Sequence, residues 1–312
     1  MHFAPAPTLQ PRDEARRERS AAAGAAHARN RALAVTRLGY LVPGADFDGG
    51  VHSVFARACN IACAGSLLTL TASGAGDGPT TLRLGRDAPS DLRTLFRVGD
   101  RLVRRGAIAR ARGVTLHLAD ASLWRPSPPR PPGPEPQIAA NLRFAGAALR
   151  RHRHWHSSVL DREGGTVLAA LEAACRELDA ERALPRVHQL IGWGEGLTPA
   201  GDDFLVGWCA ALDALAGGHE GRAGFAGDVA AAIAARTGRT TPIAAHCLRL
   251  ATQGHYGADV HGLRDALLSG DDFARLQGAL GRALAVGSTS GADMVTGLLS
   301  GCAAWLCPGA KR

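Results

Sequence analysis

Aromatic side chains are scarce, at 5% of the 312 residues. No interleaved stacking pattern or recognised nucleic-acid motif accompanies the basic residues. A net charge of +8 therefore does not by itself point to a nucleic acid, and no nucleic-acid partner is expected. Long hydrophobic runs are also missing: none approaches the roughly 20 uncharged residues of a membrane-spanning helix, which excludes an integral membrane role. The seven cysteines are odd in number, and neither Cys59 with Cys63 nor Cys302 with Cys307 has a second pair at zinc-ligand spacing. A disulfide framework and a cysteine zinc site are thereby excluded, and reduced, buried thiols are expected. The first thirty residues are rich in Arg and Ala, but Asp13, Glu14 and Glu18 interrupt them and no apolar signal core follows. Residues 1–31 are read as a disordered or partly helical extension, with residence in the cytoplasm as the default.

What is present is a chain of 46% hydrophobic residues, long enough for two domains. The positive charge is local: between Arg97 and Arg153 twelve arginines face only Asp100, Asp120 and Glu135. Such a surface suits phosphates, an acidic partner subunit or an anionic substrate. From Ala32 to Val42, Val51 to Ala62, Leu67 to Ala72, Thr80 to Leu84, Arg101 to Ala109 and Val114 to Leu118, short apolar or alternating runs are separated by Gly, Asp and Pro, which predicts strands. Arg125 to Pro136 is so proline-rich that it excludes helix and interior strand, and reads as a stiff connector. Beyond it, apolar residues recur every three or four positions over 137–151, 166–181, 200–216, 223–237, 242–253, 259–269, 271–286 and 291–306. The expected fold class is α+β: a small antiparallel β domain over 32–124, a linker over 125–136, and an all-α helical domain over 137–312. His152, His154 and His156 alternate with Arg151, Arg153 and Trp155, and with no acidic or cysteine ligand near in sequence they are read as a solvated basic turn rather than a metal site.

The densest set of special requirements lies at Gly192-Trp193-Gly194-Glu195-Gly196-Leu197-Thr198-Pro199-Ala200-Gly201-Asp202-Asp203, running on to Gly207. Thr198 is suited to cap a helix with its hydroxyl, Pro199 to the first helical position, and the two carboxylates to the positive end of the helix dipole. A second stretch echoes it: Gly201, Asp203 and Gly207 align with Gly291, Asp293 and Gly297, preceded by Ser288, Thr289 and Ser290. Between them, Arg239-Thr240-Thr241-Pro242 repeats the pattern of a turn, hydroxyls and a proline at a helix start. Two such starts facing one another would offer free amide donors to one small anion, a phosphate or carboxylate, with the Arg239 fork as a clamp.

The run Gly196-Leu197-Thr198-Pro199-Ala200-Gly201-Asp202-Asp203, the Arg239-Thr240-Thr241 turn and Gly287-Ser288-Thr289-Ser290-Gly291-Ala292-Asp293 resemble, in order and spacing, the third-subunit family of oxamate carbamoyltransferase. His52-Ser53-Val54-Phe55, Asn60, Leu67 to Leu70 and Gly78-Pro79 are similar to its N-terminal pattern, so the resemblance spans about 35 to 305. Ala200, Ala244 and Ala245 stand where the family often has serine. The resemblance implies a subunit acting with two other subunit types in anaerobic purine and allantoin breakdown, where oxalurate and phosphate yield oxamate and carbamoyl phosphate. On that basis Asp202, Asp203 and Asp293 are the candidate catalytic residues. Gly196, Leu197, Thr198, Gly201, Arg239, Thr240, Thr241, Ser288, Thr289, Ser290 and Gly291 are the candidate substrate-binding residues. No cofactor is required by any motif; a divalent ion such as Mg2+ at Asp202 is the alternative, since hard cations prefer oxygen ligands. Two other roles stay open: a non-catalytic scaffold or effector-binding subunit, and a metal-dependent hydrolase using the Asp cluster.

Overall fold

The computed structural model describes residues 30–128, 132–269 and 272–306. The extension before residue 30, residues 129–131 of the connector and Cys307 lie outside them. No helix among the described residues is long and apolar enough to cross a membrane, and no disulfide joins the described cysteines.

Nine strands come first: β1 (Arg31–Gly39), β2 (Phe47–Val54), β3 (Ala58–Cys63), β4 (Ser66–Thr71), β5 (Thr81–Leu84), β6 (Arg101–Arg105), β7 (Ile108–Ala111), β8 (Val114–His117) and β9 (Ser122–Trp124). The apolar run from Val51 splits into a hairpin, because Phe55-Ala56-Arg57 turns between β2 and β3. The expected antiparallel domain is corrected here. The strands run in the order β5-β4-β3-β2-β6-β7-β8-β1, and β5 pairs with β1 to close an eight-stranded mixed barrel. Its parallel joins are β4 with β5 and β1 with β8, and β9 adds a further parallel pairing on β1. Closure is possible because β1 serves two neighbours: Arg31 to Ala34 pair with β8, and from Val35 onward, across a bulge before Arg37, the strand pairs with β5. Alternation along a strand records which side chains face inward but not the direction of the neighbouring strand, and so parallel pairing leaves no mark in the sequence. Leu33, Val35, Ile61, Leu70, Leu82, Leu102 and Leu116 fill the interior, with Leu92 and Phe96 joining the same cluster.

The helices are α1 (Glu135–Arg153), α2 (Val159–Glu163), α3 (Gly165–Glu177), α4 (Ala180–Leu190), α5 (Ala200–Ala216), α6 (Glu220–Ala234), α7 (Pro242–Ala251), α8 (Ala258–Leu268), α9 (Phe273–Leu284) and α10 (Ser290–Leu306). α5 and α10 are apolar almost all round and form the centre, with Phe204, Leu205, Trp208, Val295 and Leu298 fully buried. Their approach is set by glycines. A Cβ on Gly207 would lie 1.9 Å from the Met294 carbonyl oxygen, and one on Gly297 would lie 1.9 Å from that of Phe204. The contact is reciprocal, as the aligned positions of the two stretches require. Gly201 and Gly291 do the same toward the helices that precede them, each 2.0 Å from a backbone oxygen, of Leu190 and of Ala283.

Barrel and helices are stitched at α7. His246 is buried at 6% exposure, with Nε2 3.1 Å from the Thr80 hydroxyl and Nδ1 3.4 Å from both the Ser66 hydroxyl and the Leu67 amide. Burial, helped by Arg249, pushes its pKa down to about 4. The unfolded chain thus takes up a proton near pH 6.5 that the folded one refuses, and stability falls as the pH drops from 6.5 toward 4. At pH 5 the loss is expected to be about 2 kcal/mol. Urea unfolding of wild type and His246→Gln at pH 7 and pH 5 checks this: the variant should lack that part of the acid sensitivity, and equal sensitivity in the two would refute it. Tyr40 to His255 at 2.9 Å and the Ala258 amide to the Asp77 carbonyl at 2.8 Å add to the same seam.

Candidate functional site

The start of α5 is built by the loop that precedes it. Gly192, Gly194 and Gly196 all have positive φ, at 75°, 121° and 89°, which lets the chain curl back so that the Trp193 carbonyl accepts from the Gly201 amide at 2.8 Å. Pro199 occupies the cap position with no side-chain cap, and its carbonyl accepts from the amides of Asp202 and Asp203. At α10 the Gly291 amide is taken by Val286 and the Asp293 amide by Thr289, both at 2.9 Å. These five amides are therefore committed to backbone partners, and the expected set of free donors at Gly201 and Gly291 is not formed. Thr198, relieved of capping, points its hydroxyl across to the other helix start.

There the two stretches meet. Thr198 Oγ1 lies 2.8 Å from Ser290 Oγ, so both positive helix ends converge on one place, a setting that favours carboxylates. Both hydroxyls face the Asp203 carboxyl, whose Oδ2 is buried without a hydrogen-bond partner among the described residues. Burial pushes Asp203 well above the usual carboxylate range. The Ser290 and Thr198 hydroxyls pull it back, and the charges of Asp293 and Asp202 push it further up. Asp293 is fully buried; its Oδ1 accepts from Arg153 Nη2 at 2.6 Å and from the Ser158 hydroxyl at 2.7 Å. Its pKa is raised by burial, with Ser158 and Arg153 pulling the other way.

Asp202 has a different task. At 1% exposure, it accepts from the Gly192 amide at 3.0 Å through Oδ1 and from the Thr240 hydroxyl through Oδ2. Burial raises it against these two bonds. The Thr241 hydroxyl donates to the Leu197 carbonyl and caps α7 at the Ala244 amide. Asp202, Thr240 and Thr241 thus lock the glycine loop to the 237–241 turn. With both oxygens of Asp202 taken, it offers little to a cation, and no group of three or more His, Cys, Asp and Glu side chains among the described residues is arranged to hold a metal ion. Cys247 on α7 lies near enough for its thiol to be pushed up to about 12 by burial first and then by Asp203 and Asp202.

The other candidates sit at the margin. Gly196, Leu197 and Ser288 are exposed in the loops before α5 and α10, and Thr289 contributes its carbonyl to the Asp293 amide. Arg239 is exposed, with its carbonyl beside Gly192; with Arg236 it bears on His188, whose pKa is lowered by burial and by both cations. A second arginine, Arg153, expected in a solvated turn, binds the carboxylate cluster itself. Its side chain is 10% exposed, and it also reaches the Thr296 hydroxyl at 2.9 Å and Asp161 at 3.1 Å. Two surface depressions of ≈320 and ≈330 Å³ lie elsewhere, one beside Thr36, Arg83 and Arg86, the other beside Glu181 and Pro185.

Residues 190–302, which hold both helix starts and the turn between them, match the family described as oxamate carbamoyltransferase subunit AllH. Residues 31–123, the barrel, match the N-terminal domain of the same family. Neither a curated protein nor a solved structure matches the chain. With barrel and helix pair both accounted for by one family, the chain belongs to the AllH family of oxamate carbamoyltransferase subunits.

Proposed function

We propose that the chain works with two other subunit types in the cytoplasm, converting oxalurate and phosphate to oxamate and carbamoyl phosphate during anaerobic breakdown of purine nitrogen through allantoin, and that Asp203 is its acid. The observation that carries this reading is the buried Asp203 carboxyl at the meeting point of two helix starts, which burial pushes well above the usual carboxylate range. In the reaction a phosphate oxygen attacks the ureido carbonyl carbon. A C–O bond forms, the C–N bond to the oxamate nitrogen breaks, and that nitrogen must gain a proton. Asp203 gives the proton and recovers the one that hydrogen phosphate loses, so atoms and charge balance. A neutral carboxyl is also the form that tolerates two anionic reactants beside it. Thr198 and Ser290 orient the group, and the lock at Asp202, Thr240 and Thr241 holds the loop around it. Arg239, exposed at the rim, is the residue free to draw in an anionic substrate.

The test is reconstitution from purified subunits, following carbamoyl phosphate from oxalurate and phosphate. Turnover is expected only when this chain is present. Full turnover by the remaining subunits without it would remove the assignment.

A further inference from the structure

Asp203 and Asp293 occupy equivalent positions in the two stretches, yet their surroundings are not equivalent. Asp293 receives a guanidinium nitrogen at 2.6 Å and a hydroxyl at 2.7 Å. The cation is built in: Arg153 closes α1, is tied to Thr296 one turn along α10 from Asp293, and stands 3.1 Å from Asp161, which completes the capping box of α2 with Ser158. The groups bearing on Asp203 are Thr198, Ser290, Asp202, Asp293 and Cys247, with no cation among them. An arginine does not give up its proton, and a buried one is tolerated only with a charged partner. Of two interacting carboxyls, the one lacking a cation holds its proton to the higher pH.

We infer that Arg153, supported by Ser158, is a positioning residue that fixes Asp293 as the anion of the pair, leaving Asp203 as the carboxyl that carries the transferable proton. The proton-transfer role rests on the function proposed above, while the division of charge rests on the contacts that Arg153 and Ser158 make with Asp293 and on the unpartnered Oδ2 of Asp203. The same arrangement explains why an arginine is spent inside the helix bundle at the end of α1, where anchoring α1 to α10 needs no charge. It also explains why the two aspartates, alike in the sequence repeat, are not interchangeable: Asp293 acts on Asp203 through its charge, and Arg153 acts on Asp203 only through Asp293.

The experiment is a pH titration of the full-length chain carrying 13C at the aspartate carboxyl carbons, with resonances assigned by Asp203→Asn and Asp293→Asn. Asp293 is expected to lose its proton first and Asp203 last. Arg153→Gln should raise the Asp293 midpoint by at least about one unit, Arg153→Lys should leave it near the wild-type value, and Asp293→Asn should lower the Asp203 midpoint. In the assembled complex the basic limb of the pH–rate profile should follow Asp203, moving downward in Asp293→Asn. An ion pair that only anchors α1 would lower stability and leave both limbs in place. Should Arg153→Gln not fold, Ser158→Ala gives the same upward shift of Asp293 on a smaller scale. The inference is overturned if Asp203 titrates before Asp293, or if neither Arg153→Gln nor Ser158→Ala moves the Asp293 midpoint. A complex inactive on oxalurate would remove the functional reading and leave the titration order standing, so the two failures are distinguishable.

Discussion

Gly207→Ala is expected to cost about 3 kcal/mol, a large fraction of a domain's stability, and Gly297→Ala the same. The would-be Cβ lies 1.9 Å from a carbonyl oxygen in each case, far inside contact distance, and the obstacle is backbone of a buried helix rather than a side chain able to swing away. Relief requires α5 and α10 to separate along their length, which opens the contact that buries Phe204, Trp208, Val295 and Leu298. Gly227 on α6 is the control: it is exposed and nothing lies within 4 Å of its would-be Cβ. Gly227→Ala should stabilise by roughly 0.5–1 kcal/mol through helix propensity alone. Urea unfolding followed by circular dichroism separates the two behaviours, and a wild-type midpoint for Gly207→Ala would mean that the helices do not interlock there.

The second large effect is at Asp203. Asp203→Asn removes the proposed proton donor and keeps the shape, and a general acid contributes ~10²–10⁴ in rate. The same change should not weaken the fold. The folded carboxyl holds its proton to a higher pH than the unfolded one, so the native state binds more protons over that interval and wild-type stability declines as the pH rises through it. An amide has no such penalty. Asp203→Asn should therefore be at least as stable as wild type at pH 8, with the difference vanishing toward pH 4. Loss of activity with gained stability is the signature of a group kept for chemistry rather than for packing.

Part of this site is legible in the sequence because the repeat is written there: Gly201, Asp203 and Gly207 align with Gly291, Asp293 and Gly297, and what the alignment leaves open, whether the two helix starts face one another, the structure answers through the close approach at Gly207 and Gly297. The helix over 200–216 is likewise plain from its periodicity. What the sequence conceals is whatever depends on distant chain segments. The Thr198 hydroxyl looks like a cap until Trp193 and Pro199 carbonyls are seen to occupy the amides it would serve. Arg153 looks like one of many surface arginines, since its partner lies 140 residues away. α4 carries Pro185 inside it, which argues for a break, and its tertiary packing through Ala183, Val187 and Leu190 overrides that signal. The barrel strands are visible as alternation, but their closure through β1 and its parallel neighbours is a property of the assembled sheet.

The acid for carbamoyl transfer is proposed to lie where these two helix starts meet. The most direct measurement is the rate of carbamoyl phosphate formation from oxalurate and phosphate by the reconstituted complex, with Asp203→Asn in place of the wild-type chain and assembly confirmed by sedimentation. An intact complex whose turnover falls by a factor of ~10²–10⁴ is expected. An intact Asp203→Asn complex turning over at the wild-type rate would contradict it.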